Sequence, residues 1–284
     1  RHALRDPGSG GIESHTLLAP KGWKVSGGAW WSHNKYFNVP PSRDIKVAAP
    51  DGRTLHLSPS IVAKDILFPP HANRARPAEG TPDAGLPILH MPLSLEAWKE
   101  WIKDGVAKSL KGVTKVQLTN ALVVPELTAL LEKQIAWRRR MLEEQRQLDA
   151  SIGIRSFIDA KVYAFELSYT HEGREWEELI VLGTTHQGTE SQLTGRTIVW
   201  DINPALSYRA PAGRLNESMA LFVSIQNTLQ ETPEWTRACA ELQAKLAGIA
   251  LKGIRQANEA ALERSRIIAQ AGNEVNAIIV GGYA

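Results

Sequence analysis

The chain has 284 residues, 43% of them hydrophobic, and its 33 basic and 30 acidic side chains leave a net charge of +3. That apolar content supports the core of one large domain or two modest ones, the near balance of charge argues against nucleic-acid binding, and the lack of any run of ~20 apolar residues argues against a membrane-spanning helix. Cys239 is the single cysteine, which excludes an intramolecular disulfide framework and a thiolate metal cage.

Residues 1–13, with Asp6-Pro7-Gly8-Ser9-Gly10-Gly11 at their centre, read as a flexible N-terminal arm. An α+β domain is expected over residues 14–230. It opens with short antiparallel strands at His15 to Leu18, Gly22 to Val25 and Gly28 to Trp31, separated by Pro20-Lys21-Gly22 and Ser26-Gly27-Gly28. Two more strands, Asp44 to Ala49 and Arg53 to Ser58, flank Pro50-Asp51-Gly52, where the Asp-Gly pair signals a hairpin. Residues 68–92 then carry Pro69, Pro70, Pro77, Pro82, Pro87 and Pro92. They leave little room for regular structure and are predicted to be a mobile, partner-gripping insertion.

Ser94 caps a predicted helix through about Leu110, with Leu95, Trp98, Ile102 and Val106 along one face. A strand from Val113 to Val124 leads to Pro125, which opens a charged helix through about Ala150 with Leu127, Leu130, Leu131, Ile135 and Leu142 as its apolar side. Three strands follow, Lys161 to Thr170, Trp176 to Gly183 and Ile198 to Tyr208. The turn His171-Glu172-Gly173 joins the first two, and a polar loop from Thr184 to Ser191 follows the second. A helix from Gly213 to about Leu229 closes the domain. The order gives an α+β fold, an antiparallel sheet packed with helices.

Thr232-Pro233-Glu234 starts a further helix, because proline tolerates the first helical position and the acid suits the positive end of the dipole. It is predicted to occupy residues 231–284 as a long C-terminal extension, roughly 75 Å at ~1.5 Å per residue. Ile254, Ala261, Ile268 and Val275 recur every seven residues along it with small neighbours, a seam that another helix can approach closely. We read it as an arm for a partner or a sibling subunit. The alternative is a break at Gly248 or Gly253 and packing back on the same domain.

Common catalytic signatures are missing: no Gly-x-Ser-x-Gly elbow, phosphate loop, dinucleotide fingerprint or His-Glu-x-x-His. The weak ligand-site candidates are Glu175, Glu177 and His186, with Glu178 beside Trp176 on the opposite strand face. A solvated acidic sheet edge explains the glutamates more simply. His71 and His90 are too far apart and too lightly accompanied to suggest a metal site, and no metal or cofactor is predicted. The basic run Arg138-Arg139-Arg140 reads as a solvated helix face, with a polyanion-docking patch as the alternative. Nine tryptophans are present, most of them expected in the core. Trp30 and Trp31 must point to opposite faces of a strand, so one of them, with Tyr36 nearby, is a partner-binding candidate.

Pro20-Lys21-Gly22-Trp23 before an aromatic strand, the helix carrying Trp98 and Trp101, and Tyr208-Arg209-Ala210-Pro211 before a helix ending in Asn227-Thr228-Leu229 resemble bacterial exported proteins with a PsbP-like fold. That fold is shared by an extrinsic subunit of photosystem II and a Ran-binding nuclear import factor. The proline-rich insertion departs from its compact form. The resemblance implies an exported, periplasmic or cell-surface location and an interaction or assembly role without common catalytic machinery. A protein partner or a homo-oligomer is therefore expected, gripped by the long helix and the proline-rich loop. The alternative is a ligand-binding protein or hydrolase-like enzyme with a cleft between sheet and loop.

Overall fold

The computed structural model describes residues 1–30, 42–83, 85–151, 153–203 and 205–242, with isolated positions between 244 and 266. Arg1–Trp235 and Thr236–Ala284 form two compact units. The first begins with a hairpin of β1 (His2–Asp6) and β2 (Ile12–Leu17). The expected flexible arm is therefore strand and turn. Leu4 gives it buried apolar surface, and Asp6 is held inside by the Trp235 indole N–H at 3.0 Å.

A meander of β3 (Lys24–Trp30), β4 (Ser42–Ala48) and β5 (Thr54–Leu57) follows, antiparallel throughout. Its second turn is the Asp-Gly hairpin expected from sequence. Gly52 has φ +92, and a Cβ there would stand 2.5 Å from the Trp176 ring, so turn and packing both require glycine.

β6 (Ile61–Leu67), which the sequence pattern does not reveal, precedes the proline-rich insertion. That segment is packed, contrary to the expected mobile loop. β7 (Pro82–Asp83) and β8 (Leu86–Pro87) make a small hairpin, and Leu86, Ile88 and Met91 are buried. The clamp is Asp65 of β6, 0% exposed. Its carboxylate accepts Arg76 Nε at 3.1 Å, the second Arg76 nitrogen at 2.5 Å and the Met91 backbone N–H at 3.1 Å. Trp200 Nε1 donates to the Leu89 carbonyl at 3.0 Å, and Lys64 pairs with Asp83. Prolines removed regular structure here without removing order, because a buried charge demands fixed partners.

α1 (Leu95–Ser109) begins at Ser94, whose Oγ accepts the Ala97 N–H at 3.1 Å, a cap worth about 1 kcal/mol. The remaining elements are β9 (Thr114–Val123), α2 (Pro125–Ser151), β10 (Arg155–His171), β11 (Arg174–Ser191), β12 (Gly195–Ile202), β13 (Leu206–Pro211), α3 (Leu215–Asn227) and β14 (Gln230–Glu231). The polar stretch Thr184–Ser191 is strand and not loop. β10 begins at Arg155, ahead of the alternating pattern, and pairs with it as Ser156 with Thr189, Ile158 with Gln187 and Ala160 with Thr185.

One nine-stranded sheet results, in the order β3-β4-β5-β13-β11-β10-β9, with β12 and β6 beside the far half of β11. β11 is long enough that one edge serves β13 over Trp176–Val181 and then β12 over Thr184–Ser191. A small sheet, β1-β2-β14, is hydrogen-bonded separately and packs Leu4 and Leu17 into the same core as Ile45 and Phe222. α1 covers one face of the large sheet, with Trp98 against Tyr163 and Trp200. On the other face α3 buries Phe222 and Ile225 against Ile45, Leu55 and Tyr208, while α2 buries Leu131 and Ile135 against Ile158, Ala160 and Val162. The α+β reading with an antiparallel sheet packed by helices holds.

In the second unit, residues 236–242 and the described positions between 244 and 266 are helical. Ile254, Ala261, Ile268 and Val275, which carry the predicted seam, lie outside the described residues, as do Trp31 and Tyr36. Trp30 is the last residue of β3, in register with Ser42.

Candidate functional site

Glu175, Glu177 and His186 do not converge. All three lie on β11, and the nine residues from Glu177 to His186 span roughly 30 Å at ~3.3 Å per residue, with opposite parity placing the two side chains on opposite faces. Glu175 is exposed near the hairpin turn. Glu177 faces α3, where its carboxylate accepts the Leu215 N–H at 3.4 Å, at the helix end where backbone donors lack intrahelical partners. His186 is packed edge-on to Phe157, and its buried Nδ1 has no hydrogen-bond partner among the described residues. Burial holds its pKa below the ordinary histidine value; Asp159 opposes the shift, and Arg196 and Lys161 add to it.

The carboxylate of consequence on this strand is Glu178, 8% exposed. Tyr169 Oη donates to it at 2.6 Å and Ser207 Oγ donates to its other oxygen. Arg209 stands opposite in register, its guanidinium 4.4 Å from the centre of the Trp176 ring. Burial, followed by the Glu178 charge, raises the Tyr169 hydroxyl pKa, so the proton stays on the donor. One strand further, His56 is in register with Ser207, and its Nε2 bonds Asp44 Oδ1 at 2.7 Å. Serine, histidine and aspartate thus share a neighbourhood, yet among the described residues no hydrogen bond joins Ser207 to His56. The serine proton is committed to Glu178, and the histidine nitrogen to Asp44. The hydroxyl is tied to a carboxylate and not to the imidazole, so the three residues do not form a serine-histidine-aspartate relay.

A cleft of about 830 Å³ opens between Phe68–His71 with Leu93 and the β11–β12 hairpin. Its polar wall is one row across three strands, Arg155 of β10, Glu190 of β11 and Arg196 of β12. A cleft between sheet and proline-rich segment was expected, but Glu175, Glu177 and His186 do not line it.

Among the described residues, a row of exposed apolar side chains stands out on α2. Leu131 and Ile135 face the sheet, while Leu127, Leu130, Trp137 and Met141 point outward, the last three 54%, 55% and 62% exposed. With Gln134 these positions follow a three-four alternation, a narrow seam of the kind that packs against one other helix. It runs roughly 21 Å at ~1.5 Å per residue. Lys133, Arg138 and Arg140 flank it, with Arg138 over the Trp137 ring at 5.6 Å from its centre. Arg139 lies outside the seam and pairs with Glu132 at 2.6 Å. Sequence reasoning merged Leu127 and Leu130 with the buried side and missed Trp137 and Met141. The signal available was the second heptad phase, one residue behind the first.

No protein-family model matches the chain, and no curated protein matches it. Among solved structures it is similar to the solution structure of cyanobacterial PsbP (CyanoP) from Synechocystis sp. PCC 6803, at 11% identity and a TM-score of 0.30, over 77% of this chain and 87% of that one.

Proposed function

We propose that this chain is a non-enzymatic interaction or assembly subunit whose first unit receives an acidic amphipathic helix of a partner protein along α2. The observation that carries the reading is the exposed seam Leu127, Leu130, Trp137 and Met141 between Lys133, Arg138 and Arg140. A monomer gains nothing from leaving a tryptophan, a methionine and a leucine more than half exposed in one line. The narrowness of the seam favours a helix over a flat lipid surface, which suits a broad apolar face. The flanking cations favour acidic neighbours and disfavour a second copy, since antiparallel pairing of two α2 helices would set cation against cation. The PsbP-like assignment and an exported location belong to the same proposal and are supported by the sequence motifs alone. Of the two surfaces the sequence suggests, the proline-rich segment is occupied by its own packing, and the seam of the C-terminal helix lies outside the described residues.

The test is calorimetric titration of the full chain with two synthetic heptad peptides, leucine at the seam positions and either glutamate or lysine at the flanks. The acidic peptide is expected to bind, with affinity reduced about tenfold by Trp137→Ala and falling as salt rises. Equal binding of both peptides, no binding, or indifference to Trp137→Ala refutes the reading, as does a dimer in solution that Trp137→Glu dissolves.

A further inference from the structure

We infer that the cleft between Phe68–His71 and the β11–β12 hairpin is a binding site for a small organic monoanion, an apolar body bearing one carboxylate. Its volume, about 830 Å³, lies within the range of small-molecule sites, roughly 300–1,000 Å³. Two walls of different chemistry define it. Phe68, Pro70 and Leu93 make the apolar one, and Leu93 is 59% exposed there, far more than a leucine on a packed segment needs to be. An apolar body laid against this wall removes that surface from water.

The opposite wall recognises charge. Register sets Arg155 opposite Glu190 and Glu190 opposite Arg196 on adjacent strands. The three belong to neighbouring strands ~4.8 Å apart, so on this sheet face the Glu190 position lies between two arginine positions. Arg196 is held in place by its position over the Phe157 ring, 4.8 Å from the ring centre, and its buried Nε has no hydrogen-bond partner among the described residues. A guanidinium fixed on one side and short of an acceptor is preorganised for a planar oxyanion, because its donors form a rigid fork. Glu190 sets the limit on ligand charge. Two arginines and one glutamate leave the row at +1, enough for one carboxylate, while the Glu190 carboxylate repels a dianion. Gly188 contributes by absence: a Cβ there would stand 2.1 Å from the Thr197 carbonyl oxygen and 3.0 Å from the tip of Phe157, so glycine keeps the Phe157 ring where Arg196 rests on it.

The experiment titrates the full chain with octanoate, octanamide and octyl phosphate, by calorimetry or ligand-observed NMR. Octanoate is expected to bind, octanamide to bind at least about tenfold more weakly, and Arg196→Gln to reduce octanoate affinity by about tenfold. Arg155→Gln, at an exposed position, is expected to weaken octanoate binding in the same direction and keeps the test valid should Arg196→Gln fold poorly. No octanoate binding overturns the inference. So does equal binding of octanoate and octanamide, tighter binding of octyl phosphate than of octanoate, or indifference of octanoate affinity to both substitutions. None of these outcomes bears on the α2 seam, whose peptide test is independent.

Discussion

Lowering the pH from neutrality is expected to destabilise the first unit through His15, and replacing that residue by leucine is expected to remove most of the effect. The imidazole is 1% exposed on β2, its ring centre lies 5.0 Å from that of Trp235, and neither ring nitrogen has a hydrogen-bond partner among the described residues. Burial, reinforced by the Arg43 guanidinium and opposed by the Glu231 carboxylate 4.0 Å away, lowers its pKa from 6.5 to about 4. As the pH falls through 6.5 the unfolded chain takes up a proton here, whereas the folded chain does not until about pH 4. The unfolded state binds more protons throughout that window, so the contribution is intact above 6.5 and is lost on acidification. At ~1.36 kcal/mol per pH unit the whole window amounts to about 3 kcal/mol. Urea unfolding read by tryptophan fluorescence reports this unit, because all nine tryptophans lie at or before Trp235. Between about pH 7.5 and about pH 5 the wild type is expected to lose about 2 kcal/mol more than His15→Leu does. Stability curves that run parallel over that interval refute the reasoning, because other titrating groups are common to both proteins.

Asp65→Ala leaves Arg76 and the Met91 N–H without their acceptor and is expected to destabilise the unit by about 3–5 kcal/mol, with residues 68–92 becoming sensitive to limited proteolysis; an unchanged urea midpoint counts against the clamp. Leu131→Ala is expected to lose about 2–5 kcal/mol, since the side chain is buried against β10, whereas Leu130→Ala is expected to stay within about 0.5 kcal/mol. Equal losses in the urea midpoint would mean that α2 does not present the two faces described.

Much of the fold is legible in the sequence wherever one local rule decides the outcome. The Asp-Gly hairpin follows from the conformation of Gly52, and the Ser94 cap from a single hydroxyl. α1 follows from Trp98, Ile102 and Val106 at helical spacing. The misreadings share a cause: a distant partner outvotes local composition. Thr184 to Ser191 is polar enough to suggest a loop, but it is strand because β10 and β12 both pair with it. The glycines and proline of residues 6–11 suggest flexibility, but Asp6 meets the Trp235 indole from the far end of the unit. The prolines of residues 68–92 suggest mobility, but Asp65 organises them from outside the segment. The candidate sites were less legible. Glu178 and Glu177 differ by one residue in sequence and by a whole sheet face in space. The row Arg155, Glu190 and Arg196 exists only once three strands are aligned. Trp137 and Met141 were visible in the heptad spacing, but burial was needed to tell the seam from the core side.

The long central strand also fixes the order in which the molecule can assemble. β5, already paired with β4 on one edge, finds its second partner only in β13, about 150 residues later, and β6 is matched by β12 only about 135 residues later. β2 is completed by β14, still further along. The strands made first during synthesis are thus completed last, with their edges open until the β10–β11 hairpin has formed and offered β13 and β12 a template. Closing such distant pairings makes folding slow, and the waiting N-terminal strands are where a newly made chain is most exposed to pairing with the wrong neighbour.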